Sequence, residues 1–250
     1  MNTSTLYIIF FSVLAVGVLA DFFQRKVNYL NKYIIPFGIS FVLSLIFIHI
    51  LPELFHTNNK LIGLFFVIGF ALQLLLELLS KGIEHGHIHA PKNRVGAKLL
   101  LPLMLGLCLH SFIEGMPLIS IEKTAHIHQG HHHHSNEISG IYFMMIIVHK
   151  LPIAAILMFF FIKHITKSWI RYLMLIIFAL TAPLGAVSGY ILSSSSDFNE
   201  LSMLLLSLST GMLLHIATLL VFEKYHDHKE KMINIFLIIG GLALGVIFYY

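Results

Sequence analysis

The stretch LCLHSFIEGMPLIS, residues 107–120, decides how this chain folds. Leu, Phe, Ile, Met and Cys fill it as they fill a helix made for hydrocarbon, yet it carries His110 and Glu114 one helical turn apart. An i, i+4 spacing sets both side chains on one face of a helix. A second apolar run, IIVHKLPIAAIL over residues 146–157, holds His149 beside Lys150. Ionisable groups at membrane depth cost about 2.5–3.5 kcal/mol each on insertion scales, so they face a bundle interior and have partners there.

The composition agrees that the surroundings are lipid. Of 250 residues, 57% are hydrophobic and 11% charged, with a mean hydropathy of +0.85. A soluble domain of this size cannot hide that much apolar surface, so the sequence predicts an all-α membrane protein. Each crossing takes about 20 predominantly apolar residues. Eight candidates are read, at 5–23, 33–55, 61–79, 99–121, 138–162, 170–192, 201–222 and 232–250. They leave room for a single transmembrane domain over 1–250, with an outer His-rich loop at 122–137 and a cytoplasmic His-containing loop at 80–98.

Basic residues set the orientation. With the N-terminus outside, the cytoplasmic loops hold Arg25, Lys26, Lys32, Lys81, Lys92, Arg94, Lys98, Lys163, Lys167, Arg171, Lys224, Lys229 and Lys231, thirteen of the 16 Lys and Arg. The outer loops hold Lys60 and Lys123, and Lys150 lies within a span. This asymmetry predicts both termini outside. It also accounts for the formal charge of +4 without nucleic acid as a partner. The first apolar segment is long, lacks a basic start and ends at Arg25 and Lys26, which reads as an anchored helix rather than a cleaved leader. A lone cysteine, Cys108, leaves no disulfide framework.

Histidine is abundant, with 17 in the chain. Six lie in IEKTAHIHQGHHHHSNEIS, residues 121–139, and three, His85, His87 and His89, in IEHGHIHAPKNR, residues 83–94. Tracts of this kind capture divalent metal loosely, and no Cys spacing makes either one a structural zinc site. The histidines within spans carry more weight. The fourth and fifth spans run antiparallel, so their midpoints meet at one depth, where His110, Glu114 and His149 come within reach of each other. One such histidine alone reads as a hydrogen-bonding residue; two imidazoles and a carboxylate together suit Zn²⁺ and its divalent neighbours. Pro117 and Pro152 stand three residues beyond Glu114 and His149. Each removes a backbone donor, which is tolerated at membrane depth where the freed groups are buried in protein or line a wet cavity.

These motifs resemble the ZIP (Zrt-, Irt-like) metal-ion transporters. HSFIEG at 110–115 and HKLPIA at 149–154 carry the resemblance in combination. HILPELF at 49–55, LTAPLGAVSG at 180–189, GMLLHIA at 211–217 and IIGGLALG at 238–245 extend it over almost the whole chain. The resemblance implies eight helices in a 3+2+3 arrangement, the first three related to the last three by inverted pseudo-symmetry. It implies that His110, Glu114 and His149 ligate the transported ion. It sets Ser111 beside them, where many members have Asn, and His49 on the entry side of the second span. A homodimer in a cell membrane, plasma or bacterial inner, belongs to the same expectation.

The chain departs from the family pattern at three places. Members with a binuclear site carry further ligands where this sequence has Lys150 and Ile153. The His–Lys pair resembles the branch that contains the human plasma-membrane zinc importers, and the Lys150 ammonium reads as the replacement for a second cation. His215 stands where the family often has an aromatic residue, and no role beyond an exit ligand is read for it. The function expected is import of a divalent ion, zinc foremost and Cd, Fe or Mn after it, as cargo and not as cofactor. Two competing readings use the same residues: an intramembrane zinc hydrolase, in which Glu114 would have to be ligand and base at once, and a membrane-bound sensor or store built on the His loops.

Overall fold

A computed structural model describes residues 3–56, 59–80, 97–119, 134–192, 198–221 and 228–248, and they are almost entirely helical. Helix α1 covers Thr3–Phe22 and α2 covers Gln24–Leu45, which runs through a π-helical turn at Ile46–Ile50 into α3, Leu51–His56. Then follow α4 (Lys60–Ser80), α5 (Ala97–Gly115), α6 (His134–His164), α7 (Ser168–Leu192), α8 (Phe198–Val221) and α9 (His228–Ile247). Among the described residues, seven helices are long and apolar enough to cross a membrane: Ser4–Phe22, Tyr33–His56, Lys60–Leu78, Leu100–Ile119, Ile138–His164, Ser168–Leu192 and Glu200–Leu219. The eighth predicted crossing forms α9, whose apolar part, Met232–Ile247, is shorter. The cytoplasmic His-containing loop lies outside the described residues except where it joins α4 and α5. The outer His-rich loop lies outside them up to residue 133, and residues 134–137 start α6.

Local chemistry sets several boundaries. Asn59 caps α4, its Oδ1 accepting from the Leu61 N–H at 2.9 Å, as an N-cap amide does for the second residue of a helix. The same side chain donates through Nδ2 to Glu200 Oε1 at 2.6 Å, tying the starts of α4 and α8 together. Pro52 has no N–H and its ring crowds the carbonyl one turn back. The backbone widens just before it, and the Leu51 N–H reaches five residues back to the Ile46 carbonyl. Pro117 interrupts the crossing: α5 stops at Gly115, the Met116 N–H turns to the Ile113 carbonyl at 3.2 Å, and helical backbone resumes over 117–119. Pro152 sits inside α6, which continues through it.

The helices pack in pairs. Helix α4 lies along α8, α9 along α2, α5 along α7, and α1 along both α6 and α7. Small residues permit the closest approaches, as in other membrane bundles. A β-carbon on Gly185 would overlap the Phe112 carbonyl oxygen, and one on Gly115 the Ala182 carbonyl oxygen, so α5 and α7 touch backbone to backbone beside the site. Gly69 and Gly211 do the same for α4 and α8. At the other end of the bundle, the Tyr172 hydroxyl donates to Asp21 Oδ2 at 2.5 Å and joins α7 to α1.

Large apolar side chains point outward from nearly every helix, among them Phe11, Leu78, Leu101, Ile191 and Phe236. In water such a girdle would be an aggregation surface; in a bilayer it is the lipid contact. The polar residues run the other way. Gln73, His110, Ser111, Glu114, His149, Lys150, Ser209 and His215 are all buried.

Candidate metal centre

Helix α5 supplies His110 and Glu114 from one face, and α6 supplies His149 and Lys150. The two imidazoles and the carboxylate are 2%, 2% and 0% exposed. One ligand atom from each lies within 4.8 Å of the others, and among the described residues no other group of three or more His, Cys, Asp or Glu side chains is so placed. The structure therefore brings together the trio that the sequence pattern singles out. His49 is not part of that group: it sits half-buried on the π-helical turn. Ser111 is fully buried, and its hydroxyl is hydrogen-bonded to Thr181 Oγ1 at 2.7 Å, linking α5 to α7.

Each imidazole is held from behind. His149 Nδ1 lies 2.6 Å from the Met145 carbonyl, one turn earlier in its own helix. A carbonyl only accepts, so Nδ1 carries the proton and Nε2 is the atom turned to the centre. His110 Nδ1 lies 2.8 Å from Gln73 Oε1, a buried amide on α4. Histidines that ligate metals are oriented in this way, through the ring nitrogen that faces away from the ion.

What the Nε2 atoms face is a carboxylate. His149 Nε2 stands 2.5 Å from Glu114 Oε1, and His110 Nε2 stands 3.8 Å from Glu114 Oε2. An imidazole lone pair and a carboxylate lone pair at such range repel unless a positive centre, a proton or a metal ion, lies between them. The donor set of two nitrogens and one oxygen is the one that borderline divalent cations take. Three such ligands would leave one position of a tetrahedral ion to water.

The fourth charged group completes the balance. Lys150 is 1% exposed, and its Nζ donates to Glu114 Oε2 at 2.7 Å. It also lies over the Phe178 ring, 5.9 Å from the centroid, a cation–π distance. The aliphatic stem does not snorkel to a surface. Without a metal ion, ammonium and carboxylate cancel within the centre.

Two supporting residues escape sequence reasoning. Tyr142, fully buried on α6, donates to the Glu114 backbone carbonyl at 2.7 Å and also bonds the Ser209 hydroxyl of α8. It pins the turn of α5 that carries the carboxylate. Gln73 stands in the run ALQLLLELL, residues 71–79, apolar but for Gln73 and Glu77, and its polarity there is the one signal the sequence offers. Replacing Gln73 by Leu is expected to weaken zinc binding about 10–100-fold, the usual cost of losing such a partner. A competition titration of the purified protein against a zinc-responsive dye measures it, and unchanged affinity would remove Gln73 from the site.

No protein-family model matches the chain. Among curated proteins it is similar to the zinc transporter ZIP9-B of Xenopus laevis, 28% identical over 192 residues, which cover 71% of this chain and 58% of that protein. It is likewise 28% identical to the zinc transporter ZIP9 of Micropogonias undulatus over 208 residues, covering 76% of this chain and 60% of that one. The chain thus matches about three-fifths of the length of these relatives. No solved structure matches it. The family that the motifs of α5 and α6 resemble is the family whose name these relatives bear.

Proposed function

We propose, from the premise that this is a ZIP-family membrane protein, that it imports a divalent metal ion into the cytoplasm through the centre formed by His110, Glu114 and His149. Zinc is the first candidate for the ion, as it is the one named in the relatives. One observation carries the reading: two buried imidazole Nε2 atoms converge on a buried carboxylate in the interior of a lipid-facing bundle. The protein is a carrier and not an enzyme.

The helix pairing supports the 3+2+3 arrangement. If the first three crossings are mapped by inversion onto the last three, the α4–α8 pair maps onto α9–α2, and the α5–α7 pair maps onto α6–α1. All of these are close neighbours, and the α4–α8 and α5–α7 pairs are each sealed by glycines facing carbonyls. With both termini outside, the ion arrives from the side of the outer His-rich loop, passes His49 at its widened turn, and sheds water to bind the trio. Rocking of one helix group against the other then exposes it to the cytoplasm, as in other carriers built from inverted repeats. The Lys150 ammonium takes the place of a second cation. It neutralises Glu114 between cycles and opposes the bound ion, which favours release. A homodimer in a cell membrane completes the proposal.

Reconstitution tests it. Proteoliposomes holding the full chain are expected to take up Zn²⁺ from a panel of Zn²⁺, Cd²⁺, Fe²⁺ and Mn²⁺, and His149→Ala protein, inserted at equal density, is expected to stay at the background of empty vesicles. Wild-type uptake by that variant would remove the centre from the pathway.

A further inference from the structure

An ion that binds the trio displaces the Lys150 ammonium, and a displaced charge needs a place to rest. Glu114 Oε2 is the oxygen at issue: Lys150 Nζ donates to it at 2.7 Å, and His110 Nε2 faces it from 3.8 Å. A dication shared between that imidazole and that oxygen takes the lone pairs that the ammonium holds. Lys150 is buried to its tip, so the ammonium cannot exchange the carboxylate for bulk water. Beside it stands the Phe178 ring of α7, with its centroid 5.9 Å from Nζ.

Phe178 is fixed in place. It is buried in an apolar cluster that draws Leu107 from α5, Leu157 and Phe161 from α6 and Leu175 from α7. Its carbonyl accepts from Thr181 Oγ1 at 2.6 Å. The same threonine hydroxyl bonds Ser111, the neighbour of His110, so the turn that carries the ring is tied to the helix that carries two of the ligands. An aromatic face is the negative side of a quadrupole, and it attracts a cation most strongly where water is excluded. A lysine stem is flexible, so its head can move from carboxylate to ring while its backbone stays in place. An aliphatic side chain would also fill an apolar cluster, but it would not attract the charge.

Resting on the reading of His110, Glu114 and His149 as the ion's site, we propose that Phe178 is the second seat of the Lys150 ammonium. The charge sits on Glu114 Oε2 when the trio is empty and over the Phe178 ring when it is full. Phe178 is thus a positioning residue, which does not touch the ion and acts on its affinity through Lys150. Because the ring keeps the ammonium close, the charge returns to Glu114 as the ion leaves, and the carboxylate is not left bare at membrane depth.

Dye-competition titration of the purified full chain with Zn²⁺ alone tests this in a double-mutant cycle. Phe178→Leu is expected to weaken zinc binding about tenfold, within the worth of a desolvated cation–π contact. In Lys150→Met protein, which has no ammonium to seat, the same change is expected to leave the affinity where Lys150→Met alone sets it. Replacing Phe178 by trifluorophenylalanine keeps the shape of the ring and depletes its negative face. It is expected to weaken binding only where Lys150 is present, and it decides the matter should the leucine variant fail to fold. Equal losses with and without Lys150 would reduce the ring to packing, and no loss in either would mean that the ammonium goes elsewhere; each result overturns the seat. The premise is read separately. Wild-type zinc affinity in His149→Ala would remove the trio as the ion's site, whereas loss of zinc there beside unchanged binding in Phe178→Leu removes the seat alone.

Discussion

Replacing Glu114 by Ala is expected to abolish uptake and to destabilise the fold by about 3–5 kcal/mol, the cost of removing one partner from a buried ion pair. The carboxylate is fully buried, and it answers three groups at once: the Lys150 ammonium at 2.7 Å and the two imidazoles. Alanine leaves Lys150 with a charge, no counter-ion and no route to water. The two losses separate in a double variant. Glu114→Gln with Lys150→Met removes both charges while keeping volume, and such paired replacements are close to neutral or stabilising. The double variant should therefore unfold near the wild-type midpoint in detergent yet take up no zinc. A double variant as unstable as Glu114→Ala would mean that the loss comes from packing. Zinc uptake by either variant would dismiss the carboxylate as a ligand.

The second large effect is of opposite sign. Lys150→Met is expected to tighten zinc binding at the trio by about tenfold or more, which is about 1.4 kcal/mol, and to slow turnover. With lysine present, an arriving dication must displace an ammonium from Glu114 Oε2 and then sit beside it. At an effective dielectric of about 20, two unit charges about 4 Å apart interact by about 4 kcal/mol, so even a fraction of that repulsion covers the expected change. Removing the ammonium leaves an uncompensated carboxylate that holds the ion and does not let it go. Dye competition gives the affinity and proteoliposome uptake the rate. Weaker binding in the methionine variant would show that Lys150 assists the ion instead of opposing it.

The membrane class, the crossings and the trio were all legible before any tertiary structure. Hydropathy is a property of each segment alone, so among the described residues seven helices long and apolar enough to cross a membrane stand where the apolar runs are. His110 and Glu114 share a helix face by spacing, and His149 meets them because consecutive antiparallel helices match depth at their midpoints.

What no single segment contained is how helices distant in sequence are rotated against each other. Gln73 reaches His110 from α4, Glu77 meets His215 across to α8, and Tyr142 spans from α6 to α5 and α8. Those meetings depend on which faces the glycines of α4, α5, α7 and α8 allow into contact, and a glycine in an apolar run does not say which carbonyl it will admit. The Met145 carbonyl that orients His149 is hidden more deeply still, since every residue has one. Depth and burial are written in composition. Rotation and partner choice follow from close packing, and only the assembled bundle decides them.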